Sequence, residues 1–312
     1  MILVIFMLAF IDQFYERNFR SKNMKTILFP TDFSAAAKHA VEYGYNLAKQ
    51  IKANIVLCNA VIVPAEVPQA GLAIWSTDEY GKLMDDSASE LRAIKSGLER
   101  MDDSSGFKPS IMLMNRSGTV TEVVNGVAGA QNIDLVVIGP HSNGGISGFV
   151  LGNHARKLID SSIKPLIVVP AQAPVAPVKK IAFATDFKYP EEDLEYVYDL
   201  IPLARELNAE VLLTHVYNEN SQSPEFQVWV KQFIAQLSEK ANYHQIYYRL
   251  VKNSHAENGL DWLCEHEKVG MLAMVHRKHN FLNFLLNGSY TQKMAGRMSI
   301  PLLVFPSKQY AY

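Results

Sequence analysis

The sequence predicts an α/β chain made of two tandem copies of one unit, each a five-stranded parallel sheet flanked by helices. Self-similarity is the first observation behind that prediction. KTILFPTDFS at 25–34 returns as KKIAFATDFK at 179–188, LAKQIKANIVLCNAV at 47–61 as LARELNAEVLLTHVY at 203–217, and IKPLIVVP at 163–170 as SIPLLVFP at 299–306. Three matches in one order mark a tandem duplication. The second observation is rhythm, because short apolar runs alternate with longer amphipathic segments, as in a parallel sheet covered on both faces. Length is the third. At 312 residues, 48% of them hydrophobic, the chain can fill the cores of two ordinary domains.

In the first copy Thr26 to Pro30 reads as a short apolar strand ending in Thr31-Asp32-Phe33-Ser34, with Ser34 placed to cap a helix that runs to about Ile51. Ala37, Val41, Tyr45 and Ala48 share one face of that helix. Ile55 to Val61 is the second strand, and after the irregular stretch Pro64 to Thr77 a long helix spans Asp78 to Met101. A strand at Ser110 to Asn115, a helix at Thr119 to Ala130, the strand from Leu135, a helix after 152 and the strand Leu166 to Val169 complete the unit. The second copy repeats the plan from Lys180 to Pro306, with a shorter excursion at Asn218 to Pro224. The domains are therefore 24–172 and 178–312, preceded by an extension at 1–23. Ala171 to Val178, AQAPVAPV, suits an extended spacer between them.

Composition narrows the function classes. A formal net charge of −1 provides no basic field of the kind that drives nucleic-acid binding. Cys58 and Cys264 lack any CxxC or metal-ligand spacing, which makes them buried small apolar residues of a reducing compartment and the location cytoplasmic. Ile2 to Ile11 is almost wholly apolar but too short to cross a bilayer, and it lacks the basic start and cleavage site of a signal peptide. Stable membrane insertion is not expected, and a membrane-surface helix is the alternative. Met24 begins MKTILFPTDFS, which reads as a natural start, so 1–23 is an extension from an upstream start assignment.

The apolar run Leu135-Val136-Val137-Ile138 stops at Gly139 in a loop carrying Gly144, Gly145, Gly148 and Gly152, and a helix-like segment follows from Asn153. Strand, glycine-rich loop and helix start in that order can hold phosphate, since glycines let backbone N–H groups approach the oxygens. The alternative is a long connecting loop. Neither GxxxxGK[ST] nor GxGxxG is present. The spacing of Gly139, Ser142, Gly152 and Asn153 resembles that of nucleotide-binding universal stress proteins, which carry Gly, two residues, Gly, nine residues, Gly, then Ser or Thr. Ser142 and Asn153 depart from that pattern.

The chain resembles the tandem form of that family from Lys25 onward. The resemblance implies two Rossmann-like domains of the adenine nucleotide alpha hydrolase-like kind, with ATP, with or without Mg, as the cofactor. It implies ligand contacts at Asp32 and at the backbone of Ala60 and Val61. Asp32 has a local alternative, helping to cap the helix that follows. In the second copy Asp186 repeats Asp32, but Val275, Lys278, Gly288 and Ser289 stand where Gly139, Ser142, Gly152 and Asn153 stand in the first. Side chains at 275 and 278 should obstruct close backbone approach, which makes this site degenerate even though Arg277, Lys278 and His279 supply positive charge. His276 and His279 have no carboxylate or cysteine cluster beside them, so a solvated basic loop is expected rather than a metal site. His141 and His154 flank the first loop without a nucleophile or carboxylate spaced to make either a catalytic base.

Two function classes stay open at this point, with an enzyme third. One is a stress-response regulator that binds ATP in the first copy. The other is a nucleotide-independent dimerisation or interaction module, and the third is a slow ATPase. The resemblance also implies an intramolecular pseudo-dimer through Leu166 to Val169 and Leu302 to Val304, with a further homo-dimer open. Residues 1–23 lie outside both repeats. Their deletion should move the melting temperature by no more than a few degrees, roughly 1 kcal/mol. A larger loss in a thermal melt would place Ile2 to Ile11 in a core.

Overall fold

The computed structural model describes residues 24–62, 77–140, 153–218, 224–277 and 299–307. The extension at 1–23 lies outside them. In the first half the strands are β1 (Thr26–Pro30), β2 (Asn54–Val61), β3 (Ile111–Ser117), β4 (Leu135–Ile138) and β5 (Leu166–Val168), and the helices are α1 (Ala35–Gln50), α2 (Thr77–Met101), α3 (Val120–Ala130) and α4 (Asn153–Ser161). The second half contributes β6 (Lys180–Ala184), β7 (Glu210–Tyr217), β8 (Ile246–Lys252), β9 (Met271–His276) and β10 (Leu302–Pro306), with α5 (Pro190–Leu207), α6 (Pro224–Lys240) and α7 (Ala256–His266). Expected and observed boundaries agree to within two residues, the largest differences being at β3, which ends at Ser117, and at β10, which continues beyond Val304 to Pro306.

All ten strands form one sheet in the order β3-β2-β1-β4-β5-β10-β9-β6-β7-β8. Within each half every pair is parallel. The halves meet where β5 and β10 pair antiparallel, with Leu166, Ile167 and Val168 opposite Val304, Leu303 and Leu302. All six of these residues are buried. An apolar edge strand left in water invites pairing, and each of these two strands covers the other.

Alternation along the strands sorts side chains into two core layers. Ile27 and Phe29 of β1 join one layer, and Leu28 joins the other. β4 is buried at all four positions, as a central parallel strand must be. The helix starts follow local rules. The Ser34 hydroxyl accepts from the Ala37 N–H at 3.2 Å, and Thr119 and Glu122 form a reciprocal capping box at α3. Among the described residues no helix is long and apolar enough to cross a membrane.

The connection at 171–178 differs from the expected spacer. Ala173 and Val178 are buried in the core, and Val175 packs against it. The Ala173 carbonyl also accepts a hydrogen bond from His39 Nε2 of α1 at 3.0 Å. Alanine and valine are small enough to dock on the sheet, so a segment whose prolines suggest an extended strut is instead a packed strap.

A buried carboxylate fastens α2 to α1. Asp102 accepts from Lys49 Nζ at 2.6 Å, Ser104 Oγ at 2.7 Å and Tyr45 Oη at 2.9 Å. The Lys49 ammonium first, then the Ser104 and Tyr45 hydroxyls, hold its carboxyl well below the usual carboxylate range. Its folded pKa is depressed, so the stability it contributes is complete above its unfolded pKa of about 3.9 and disappears as pH falls toward the folded value. Urea unfolding across the acid range should show stability falling with pH in the parent and a flatter profile in Asp102→Asn. Identical slopes would mean that the carboxylate gains nothing from these partners.

Candidate functional site

β1 lies between β2 and β4, so successive connections leave it in opposite directions and open a crevice at the strands' carboxyl ends. A cavity of about 260 Å³ occupies that point. Its walls come from Thr31 and Asp32 after β1, Asn59 and Ala60 of β2, Val120, Val123 and Val124 of α3, Gly139 after β4, and His154, Ala155 and Leu158 of α4. Most of that surface is aliphatic. Such a cleft accepts a flat apolar ring system and leaves a few polar groups to orient it.

The turn after β1 is built by its own side chains. Thr31 Oγ1 accepts from the Phe33 N–H at 3.0 Å, and Asp32 Oδ1 accepts from the Ser34 N–H at 3.0 Å. Phe33 sits at φ 66°. The second half repeats the device, with Thr185 accepting from Phe187 at 2.9 Å, Asp186 accepting from Lys188 at 3.0 Å, and Phe187 at φ 52°. Thr-Asp-Phe therefore recurs because it makes the same turn twice, and a repeated aspartate is no sign of a repeated ligand contact.

Asn59 is a site residue that motif reading missed. Its buried amide donates to the Thr31 carbonyl at 2.7 Å, and its Oδ1 lies 2.8 Å from the Ser87 hydroxyl of α2. Asn115 continues the network from β3 by donating to the Met84 carbonyl at 2.8 Å. At the matching place in β7, His215 Nδ1 meets the Thr185 carbonyl at 3.0 Å. Alignment of LCNAV with LTHVY pairs two N–H donors there, a signal the sequence did contain.

Gly139 has a steric reason to be glycine. A Cβ on it would lie 2.5 Å from the Ala36 carbonyl oxygen and 3.0 Å from the Ala37 nitrogen, so the end of β4 touches the start of α1 backbone to backbone. The second half carries Val275 instead. There, Leu203 follows Thr185 by 18 positions where Leu47 follows Thr31 by 16, and the two added residues accompany room for the valine.

The structure brings Asp32, Ala60, Gly139 and His154 to one cleft. Val61 does not line it, and its carbonyl accepts from the Gly118 N–H at 3.1 Å. Asn153 is the exposed first residue of α4, outside the cavity lining. Ser142, Gly152 and His141 fall outside the described residues, as do Lys278, Gly288, Ser289 and His279. Cys58 is a buried thiol on the cleft floor, and burial pushes its pKa up to about 11. Cys264 is only half-buried.

The second cleft has a volume of about 390 Å³, and Val275 is among its walls. The described part of its basic segment, His276 and Arg277, departs from the solvated loop expected there. The Arg277 guanidinium is mostly buried, 2.7 Å from Asp193 and 3.4 Å from Glu192, and lies over the Tyr189 ring. Asp193 also accepts from the Thr185 hydroxyl, and burial raises its pKa. His276 is buried with its Nε2 3.0 Å from Asp160 Oδ1. Local carboxylates have absorbed the charge that loop composition seemed to offer an anion. Packing has shifted as well, since Ala60 beside Val123 becomes Val216 beside Gly259, where a Cβ would meet Val216 at 2.5 Å. Among the described residues no group of three or more His, Cys, Asp or Glu could hold a metal.

Residues 23–170 match the model of the universal stress protein family. A universal stress protein of Methanocaldococcus jannaschii is 28% identical over 160 residues, which cover 46% of this chain and 94% of that protein. A solved universal stress protein from Archaeoglobus fulgidus superposes with a TM-score of 0.67 at 12% identity, covering 91% of this chain and 99% of the other. A solved putative universal stress protein from Pseudomonas aeruginosa gives 0.57 at 11% identity, with 92% and 94% covered. The last two are likenesses of fold, and they extend across both halves.

Gly139→Ala should destabilise the protein by about 1–3 kcal/mol in urea unfolding, because its methyl meets backbone. Gly126→Ala, in α3 with nothing within 4 Å, should be stabilising by about 0.5–1 kcal/mol. Equal effects at the two sites would contradict the close approach.

Proposed function

The chain belongs to the universal stress protein family through residues 23–170, and from that premise we propose that its first half binds ATP as a stress-response regulator. The supporting observation is the apolar cleft at the carboxyl ends of β1, β2 and β4, with the first turn of α4 opening onto it. At about 260 Å³ it is smaller than the usual ~300–1000 Å³ of small-molecule pockets, which suits a base and sugar with phosphates lying outside it. Phosphates leaving the cleft toward α4 meet the positive end of its dipole. Asp32, Ala60 and Gly139, which line the cleft, are the contacts in this reading. Ser142, Gly152 and Asn153 complete the set on the phosphate side, with Mg accompanying the phosphates, and Val61, outside the lining, is left out of it.

The second half is the silent copy in this reading. Arg277 is the one Lys or Arg among the described residues lining its cleft, and two carboxylates already neutralise it. The two halves act as an intramolecular pseudo-dimer in the cytoplasm, joined through Leu166 to Val169 and Leu302 to Val304. The residues of that joint line neither cleft, which favours the interaction-module reading if nucleotide fails to bind.

Titration calorimetry with ATP and magnesium should find one site per chain. His154→Asp adds an exposed negative charge at the cleft, on the first turn of α4. It should weaken ATP by roughly 1–2 kcal/mol, about tenfold, without loss of stability, because an acidic residue suits a helix start. Asp186→Asn should leave binding unchanged. No heat in the parent, or an unaffected His154→Asp, would leave the interaction module.

A further inference from the structure

One helix touches both halves at functionally placed points. The first turns of α4 supply His154, Ala155 and Leu158 to the first cleft. Its last turn supplies Asp160, whose Oδ1 lies 3.0 Å from Nε2 of His276 at the end of β9. His276 is flanked by Val275 and Arg277, which both line the second cleft. α4 has nine residues and is therefore ~13 Å long, too short to bend between its two contacts.

His276 is poorly held by anything else. It is 7% exposed, and its Nδ1 is buried without a hydrogen-bond partner. Among the described residues Asp160 is thus the partner that holds a buried ring, and withdrawing it would leave both ring nitrogens unpaired away from water, an arrangement proteins avoid. The same helix shares an apolar layer with Met274 of β9 and with Leu302 and Val304 of β10, through Ala155, Leu158 and Ile159. A displacement of α4 therefore has to be followed by the end of β9.

We propose that α4 is a lever between the clefts, with the Asp160–His276 contact transmitting occupancy of the first cleft to the Val275–Arg277 edge of the second. The inference rests on the ATP-binding reading for its physiological input, but the lever itself is a property of the packing. In this proposal α4 and the His276 ring move together between two positions, and a ligand biases them by binding one position better than the other. The second cleft, unsuited to phosphate, then serves as the output side. Its shape changes when the first is filled.

The test follows the His276 ring signal by NMR in the full chain, with ATP and magnesium as the probe and calorimetry run in parallel. The ring signal should shift on ATP addition in the parent. In Asp160→Ala, which removes the acceptor from His276 Nε2, ATP affinity should stay within about threefold of the parent, since Asp160 does not line the cleft, and the shift should be lost. ATP binding with an unmoved His276 signal overturns the lever. So does a shift that persists in Asp160→Ala. If calorimetry finds no ATP binding, the nucleotide reading fails by itself, and Ala155→Gly, which loosens the first turn of α4 without ligand, decides the lever. A moved His276 signal in that variant supports it, and an unmoved one overturns it.

Discussion

Antiparallel pairing between β5 and β10 is the contact on which the rest of the molecule depends. Three apolar residues from each strand satisfy one another's backbone and bury one another's side chains. Without this pairing each half would present an apolar edge to water. The pairing also sets the relation between the clefts, because β4 and β9 flank the joint on either side and both clefts open at their carboxyl ends. The packed strap at 171–178 is part of the same economy, since Ala173 and Val178 dock where a free spacer would leave core uncovered.

Duplication left two clefts with one backbone plan and different chemistry. The turn after the first strand is maintained in both by a threonine hydroxyl, an aspartate carboxylate and a phenylalanine at positive φ. The tie from the second strand is maintained too, by an amide in one copy and an imidazole in the other. The floor and the strand-end glycine were not. Gly139 lets backbone meet backbone, whereas Val275 stands beside a lengthened connection and a buried Arg277–Asp193–Thr185 network.

Electrostatics separates the two clefts more sharply than shape does. The second is larger, yet its cation is consumed by two carboxylates. In the first, the described walls carry no lysine or arginine, and the first turn of α4, the positive end of its dipole, opens onto the cleft.

Fold class and the succession of strands and helices along each half were legible in the sequence, because periodicity and internal repetition report which faces are buried, and burial is what a parallel sheet demands of LVVI or TILFP. Ser34 as a cap and Asp32 at the strand end were legible for the same local reason. What lay beyond it depended on residues far apart in the chain. Asn59 meets Thr31 and Ser87 only after β1, β2 and α2 have packed. Arg277 reads as a solvated charge until α5 brings Asp193 against it, and His276 reads as part of a basic loop until α4 of the other half sets Asp160 beside it. A charge's partner is decided by packing, which composition along the chain does not record.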